Sequence, residues 1–155
     1  MENQKSDQKV IVFQLQDEEY ALGVEQVASI ERMLPITRVP QTADFVKGVI
    51  NLRGVVIPVL DLRTRFNIKS SPYNESTRII VVYFDGMEVG LIVDTANDVL
   101  DIPEDTMEDP PAVVGAVDVD YIKGIANLDH RLLILLDLQK VLKSDDMIEL
   151  KSVQG

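Results

Sequence analysis

Two twenty-residue segments of this chain are variants of one pattern, and that repetition limits the fold more than any other feature. KGVINLRGVVIPVLDLRTRF begins at Lys47 and KGIANLDHRLLILLDLQKVL at Lys123; they align without gaps, with seven identical positions. Most of the remaining positions exchange one apolar residue for another, the mark of a structural unit used twice. A second pair precedes these: VIVFQLQDEEYALGV (Val10 to Val24) and IIVVYFDGMEVGLIV (Ile79 to Val93). Each is an apolar run, a polar turn holding Asp17 or Asp85 with Gly86, and another apolar run, which reads as a β-hairpin. Each half of the chain is thus a hairpin, a short stretch read as one helical turn (EQVASI, DTANDV), a loop, and a KGxxNL hairpin.

Five or so short strands per half, with turn signals about every ten residues, predict a small all-β barrel in each half. The expected division is a polar tail over residues 1–9, a first barrel over 10–78 and a second over 79–155. Barrels of roughly 70 residues are marginal alone, and without a single Cys there is no disulfide or thiolate metal site to staple them. They are therefore expected to pack on each other. VVIPVL and RLLILL agree, because a strand wetted on one face alternates, whereas these runs are apolar at nearly every position. The seam between the barrels becomes the expected groove. KSSPYNEST (Lys69 to Thr77) and PEDTMEDPP (Pro103 to Pro111) read as linkers. The start, MENQKSDQK, has neither the apolar core of a signal peptide nor the length of a membrane span. A formal charge of −11 opposes nucleic-acid binding and favours a protein partner or a solvated acidic surface.

Candidate chemistry is sparse. His130, the sole histidine, aligns with Gly54 at the hairpin tip and reads as a turn residue, with no spacing that would make it a metal ligand. Asp61 and Asp137 each follow an apolar strand and precede a helix-like stretch, where a carboxylate caps free N–H groups; Asp94 is given the same role. A carboxylate-dependent hydrolase built on these three is disfavoured for that reason. The glycines form no phosphate loop, and no GxSxG or HExxH is present, so neither cofactor nor metal is expected. Pro58, opposite Ile134, marks either an open edge or a bulge of barrel closure. Arg53 is opposite Asp129, so the hairpin tip does not itself demand a guanidinium. Two readings stand: a local ion pair with Glu31 or Asp61, or a contact with a partner.

FQLQDEEYALGVEQVASIE, TRVP, FVKGVINLRGVVIPVLDLRTRF, EVGLIVDTANDVL and LILLDLQKVL together resemble the chemotaxis coupling protein family, CheW, over about residues 10 to 150. The resemblance implies two packed five-stranded SH3-like β-barrels with short helices, one of them C-terminal, and an N-terminal strand able to complete the second barrel. It also implies a non-enzymatic cytoplasmic adaptor, recruited to receptor arrays at the inner face of the cell membrane without inserting into it. Its partners would be methyl-accepting chemotaxis receptors and the regulatory domain of the histidine kinase CheA. Carried over by position, the receptor groove comprises Val27, Gly48, Arg53, Gly90, Ala96 and Val99, with the glycines admitting a close-lying helical hairpin. Ser29 stands where relatives carry Glu. The kinase-binding surface comprises Ile36, Thr37, Arg38, Val39 and Pro40. Related modules also form part of the kinase or precede receiver domains; a full-length chain ending at Gly155 would have neither addition.

Overall fold

Apolar runs broken by turn signals every ten residues leave little but strands to build. The computed structural model, which describes residues 7–40, 44–69, 72–110, 113–114, 117–128 and 130–142, is mostly strand. In chain order these are β1 (Gln8–Leu15), β2 (Glu18–Gly23), β3 (Val27–Arg32), β4 (Val46–Leu52), β5 (Val55–Asp61), β6 (Arg78–Phe84), β7 (Met87–Val93), β8 (Thr95–Ile102), β9 (Met107–Glu108), β10 (Val113–Val114), β11 (Val117–Asp118), β12 (Ile122–Leu128) and β13 (Arg131–Leu136). Single-turn helices α1 (Leu62–Arg65) and α2 (Leu138–Val141) follow β5 and β13. The remainder of the expected C-terminal helix, and residues 1–6 of the expected tail, lie outside the described residues.

Both KGxxNL segments form hairpins with the same irregularity: the register slips between Val46 and Gly48 against β5, and between Ile122 and Gly124 against β13. Asp61 then accepts the N–H of Arg63, and Asp137 those of Gln139 and Lys140, so both carboxylates cap the turn that follows. Asp94 does not. A strand begins at the next residue, and the Asp94 carboxylate accepts instead from the Gln16 N–H at 2.7 Å and the Arg63 guanidinium at 3.0 Å.

Other expectations are corrected. EQVASI makes a 3-10 turn only over Val24–Gln26 before β3 begins, and DTANDV is strand from Thr95 on, because β6 and β1 offer them pairing edges. The tail reading over residues 1–9 gives way at Gln8, which starts β1; Lys9 pairs across to Asp101 with an ion pair of 3.4 Å. PEDTMEDPP includes a 3-10 turn (Glu104–Thr106) and β9, which pairs with β12. Pro58 is not at an edge, since β5 lies between β7 and β4; the register with β7 starts one residue later, at Val59.

The division at residue 78 does not follow the sheets. The five-stranded sheet runs β3-β6-β7-β5-β4, the six-stranded one β8-β1-β2-β13-β12-β9, and β10-β11 form a separate pair. Exchanging each strand for its repeat counterpart (β1 with β6, β2 with β7, β3 with β8, β4 with β12, β5 with β13) converts one order into the other, β9 apart. Each half has thus given its first hairpin to the other half: β2 lies parallel to β13, and β7 parallel to β5. The chain crosses between sheets at Gly23–Val27 and returns at Val93–Thr95. One barrel is therefore continuous over 27–93, and the other joins 8–23 to 95–136. Through these short links β3 and β8 each continue into the neighbouring sheet, where they pair with β6 and β1.

Alternation along each strand sends residues to two apolar layers. Val10 and Val12 of β1, Ala21 of β2, and Leu133 and Leu135 of β13 fill one barrel. Ile57 and Val59 of β5, Ile79 and Val81 of β6, and Ile92 of β7 fill the other. The intervening positions meet in a third, larger core that both sheets build: Phe13, Leu15, Tyr20, Leu22, Ile134 and Leu136 from one, and Leu60, Ile80, Val82, Val89 and Leu91 from the other. This is why VVIPVL and RLLILL do not alternate.

Aromatic rings line the same seam: Phe13 and Tyr20 stack within the β1–β2 hairpin with centroids 5.8 Å apart, and the chain of contacts goes on from Tyr20 to Phe66 at 6.4 Å and from Phe66 to Tyr121 at 5.3 Å. Arg65 lies over the Phe45 and Tyr121 rings and donates to the Val141 carbonyl at 3.0 Å. Arg63, its side chain 2% exposed, donates to both Asp61 oxygens and to Asp94. Asp61 also accepts from the Tyr73 hydroxyl at 2.9 Å, which ties the expected linker to the barrel. Burial works against the Arg63 charge, but bonding to Asp61 and the charges of Asp61 and Asp94 outweigh it and hold its pKa above the ordinary value.

Because the halves interleave, residues 1–78 and 79–155 produced separately should each lack a cooperative thermal transition, and mixing them should restore one; a cooperative melt of 79–155 alone would contradict the exchange. A second expectation concerns alkaline pH. The Tyr20 phenol, ordinarily at 10.0, is pushed up by burial and then by the charge and hydrogen bond of Glu18. Its stabilisation is complete below the unfolded value of 10.0 and is lost as pH rises beyond it, since the unfolded chain then releases the proton that the folded chain keeps. Tyr20→Phe should flatten the alkaline limb of a denaturation-versus-pH profile, and an unchanged slope would count against that assignment.

Candidate functional site

The edge strands of the two sheets, β3 and β8, flank the shared core. Val27 on β3 pairs with Val82, and Ala96 on β8 pairs with Phe13; both pack against the shared core from opposite sheets. One turn of alternation further on, Ile30 pairs with Ile80 and Val99 with Ile11. Paired residues share a sheet face, so Ile30 and Val99 stand on the seam side, where they are 37% and 53% exposed. The strip is thus two matched pairs, Val27 with Ala96 and Ile30 with Val99. Ile30 was missed in the sequence; aligning VEQVASIE with VDTANDVL would have found it, because it sits opposite Val99.

Arg53 occupies the tip of the β4–β5 hairpin at φ 53, followed by Gly54 at φ 88, and the Gly54 N–H is held by the Asn51 side chain at 2.8 Å. Two positive φ values make the tight turn that matches strand twist. A non-glycine residue there costs about 1–2 kcal/mol. Arg53 donates to Glu31 on β3 at 3.2 Å, while its side chain stays 71% exposed. The ion-pair reading therefore holds with Glu31 and not with Asp61, whose oxygens serve Arg63 and Tyr73. The exposed pair is worth roughly 0–1 kcal/mol, so the guanidinium is positioned without being consumed.

The two glycines do not line the strip. Gly90 is buried in β7, and a Cβ on it would lie 2.7 Å from Val59 and 2.8 Å from Ile79. Gly48, at φ 142, has its Cβ space taken by the Thr37 carbonyl. Their close approach is to this chain's own strands. Gly48 belongs with the Ile36–Pro40 segment, which Thr37 straps to the free side of β4 by two bonds to Val49, each 2.9 Å. Ile36 packs on the five-stranded sheet's core, Val39 is half-buried, and Thr37, Arg38 and Pro40 are exposed.

Asp61, Asp94 and Asp137 are engaged in capping and bridging bonds, and His130 is an exposed turn residue. Among the described residues no group of three or more His, Cys, Asp or Glu could hold a metal ion, and no helix is long and apolar enough to cross a membrane.

Known proteins share this architecture throughout. The "CheW-like domain" family matches residues 9–146. The chain is 43% identical to chemotaxis protein CheW of Bacillus subtilis (strain 168), covering 91% of this chain and 90% of that one. It is 37% identical to chemotaxis protein CheW of Klebsiella aerogenes, covering 90% and 84%. The crystal structure of scaffolding protein TtCheW from Thermoanaerobacter tengcongensis superposes with a TM-score of 0.83 at 36% identity, over 90% of this chain and 95% of that one. With its duplicated hairpins, its two packed SH3-like barrels and this agreement over nearly the whole length, the chain belongs to the CheW-like family.

Proposed function

We propose that this protein is a non-enzymatic chemotaxis adaptor that couples the helical hairpin tips of chemoreceptors to the regulatory domain of the kinase CheA, in arrays at the inner face of the cell membrane. The observation that carries this reading is that the 27–93 barrel presents two different surfaces on opposite edges of one sheet. Val27 on the β3 edge, with Ala96 and Val99 on β8, presents apolar residues at the border of the shared core, and Arg53 is held to β3 through Glu31 with its side chain exposed, a combination that suits the apolar face of a helix. On the β4 edge, Ile36, Thr37, Arg38, Val39 and Pro40 form a strapped segment with three exposed residues, which suits the kinase. Gly90 and Gly48 serve these surfaces from within, by letting Val59 and Ile79 close around β7 and Thr37 lie against β4. No bond is made or broken; the adaptor acts by holding two partners in one geometry. The reading is tested by receptor-coupled kinase activity with and without the protein: activity should depend on it, and activity indifferent to its presence would overturn the proposal.

Two substitutions separate the surfaces. Arg53→Glu places a like charge beside Glu31 on an exposed tip, so circular dichroism should be unchanged while receptor binding weakens by about tenfold or more, the effect of losing about 1.4 kcal/mol. Loss of fold, or undiminished binding, would contradict the contact. Gly48→Ala forces a side chain into a backbone conformation that costs about 1–3 kcal/mol and displaces Thr37. Its melting temperature should fall, and kinase binding should suffer more than receptor binding; equal losses would argue against assigning the segment to the kinase.

A further inference from the structure

The two passages of the chain between the sheets are not built alike. At the second, Asp94 stands alone between β7 and β8. Its carboxylate accepts the Gln16 N–H of the β1–β2 turn at 2.7 Å and the Arg63 guanidinium at 3.0 Å, and its own N–H donates to the Gln14 carbonyl at 3.0 Å. Gln14 and Gln16 belong to the barrel that joins 8–23 to 95–136, and Arg63 to the 27–93 barrel, so one carboxylate is bonded to both. Arg63 is itself anchored. Its guanidinium donates to the two Asp61 oxygens at 3.2 and 3.1 Å and lies 5.2 Å from the centre of the Tyr73 ring, whose hydroxyl donates to Asp61. The Gln16 side-chain amide adds a bond to the Lys69 carbonyl at 3.1 Å.

At the first passage, Val24–Gln26, the repeat puts Glu25 in the place of Asp94 and Gln139 in the place of Arg63. Both are exposed, and neither side chain makes a hydrogen bond or ion pair among the described residues. One passage is therefore pinned by a charged, partly buried network and the other is not. The difference bears on geometry. Apolar attraction across the shared core is non-directional, whereas hydrogen bonds between charged groups hold a defined direction, and a buried ion pair is better suited to selecting one arrangement than to adding stability.

We propose that the Asp94–Arg63 pair is the lock that sets the relative orientation of the two barrels. It pins the start of β8 to the 27–93 barrel, while β3 leaves from an unpinned passage. Ala96 and Val99 follow Asp94 on the same strand, so Asp94 is a positioning residue for them: it holds their side of the seam in a fixed relation to the barrel that carries the Ile36–Pro40 segment. The lock acts within the chain and does not depend on which partners occupy either surface.

The chain has no cysteine, so pairs of spin labels can be placed on the full chain. Tyr83→Cys with Leu132→Cys labels exposed residues of different barrels, and Tyr83→Cys with Val55→Cys labels exposed residues of one. In the parent, each pair should give one narrow distance distribution. Asp94→Ala leaves Arg63 its bonds to Asp61, so circular dichroism and the within-barrel distances should stay as they were while the between-barrel distribution broadens or shifts. Amide exchange at the start of β8 should be faster by about tenfold or more, the effect of losing one hydrogen bond to a charged group. Glu25→Ala, at the matching place in the other passage, should change neither distribution. A between-barrel distribution unchanged by Asp94→Ala, changed as much by Glu25→Ala, or already broad in the parent would overturn the proposal. If Asp94→Ala does not fold, Asp94→Asn, isosteric but uncharged, decides by the same two distances: a broadened between-barrel distribution supports the lock, and an unchanged one overturns it.

Discussion

The shared apolar core between the two sheets is the interaction on which the rest of the molecule depends. Each barrel is too small to bury much apolar area alone. Strands apolar on both faces let Val10 and Val12, or Val81 and Ile92, fill a private interior while Phe13, Tyr20, Ile80 and Leu91 fill the common layer. Exchange of the first hairpins makes that layer unavoidable, because β2 completes its ladder only on β13 and β7 only on β5. Duplication alone would have made two weak barrels; duplication with exchange makes one cooperative body.

The candidate surfaces follow from the same exchange. The chain changes sheet at two places, and the strands that begin just after those crossings, β3 and β8, become the edge strands bordering the common core. Val27 and Ala96 are therefore partly exposed because they close that core from outside. The Arg63 cluster ties the second crossing down: Asp94 accepts from Arg63 of the continuous barrel and from Gln16 of the β1–β2 turn. Arg63 aligns with Gln139 and so has no counterpart in the repeat. Arg53 and Arg63 are features of the first barrel alone, whereas the Thr37 strap on β4 is matched by β9 on β12, where Glu108 pairs with Ile125, the counterpart of Val49.

Much of this was legible in the sequence. Gapless repetition revealed the hairpins, Asp61 and Asp137 announced their caps, and unbroken apolar strands implied burial on both faces. Two things were hidden for physical reasons. Strand pattern records burial but not partner, so nothing local in VIVFQLQDEEYALGV says that its hairpin pairs in the other half. A glycine within a strand reports close approach without saying of what: Gly48 and Gly90 accommodate Thr37, Val59 and Ile79. Asp94 misled because a carboxylate after a strand looks the same whether a helix or another strand follows. Arg53 left two readings open, and both survive in part, since the side chain is paired with Glu31 and still presented to solvent.

The central claim is that one rigid body bridges two partners through separate edges of one sheet. Its most direct test is co-sedimentation of array-forming receptor fragments with the CheA kinase, measured with and without this protein. The account predicts that the kinase enters the pellet in proportion to the adaptor present, up to saturation, and stays largely in the supernatant in its absence. Kinase that sediments equally well without the adaptor, or adaptor that sediments while leaving the kinase behind, would contradict it.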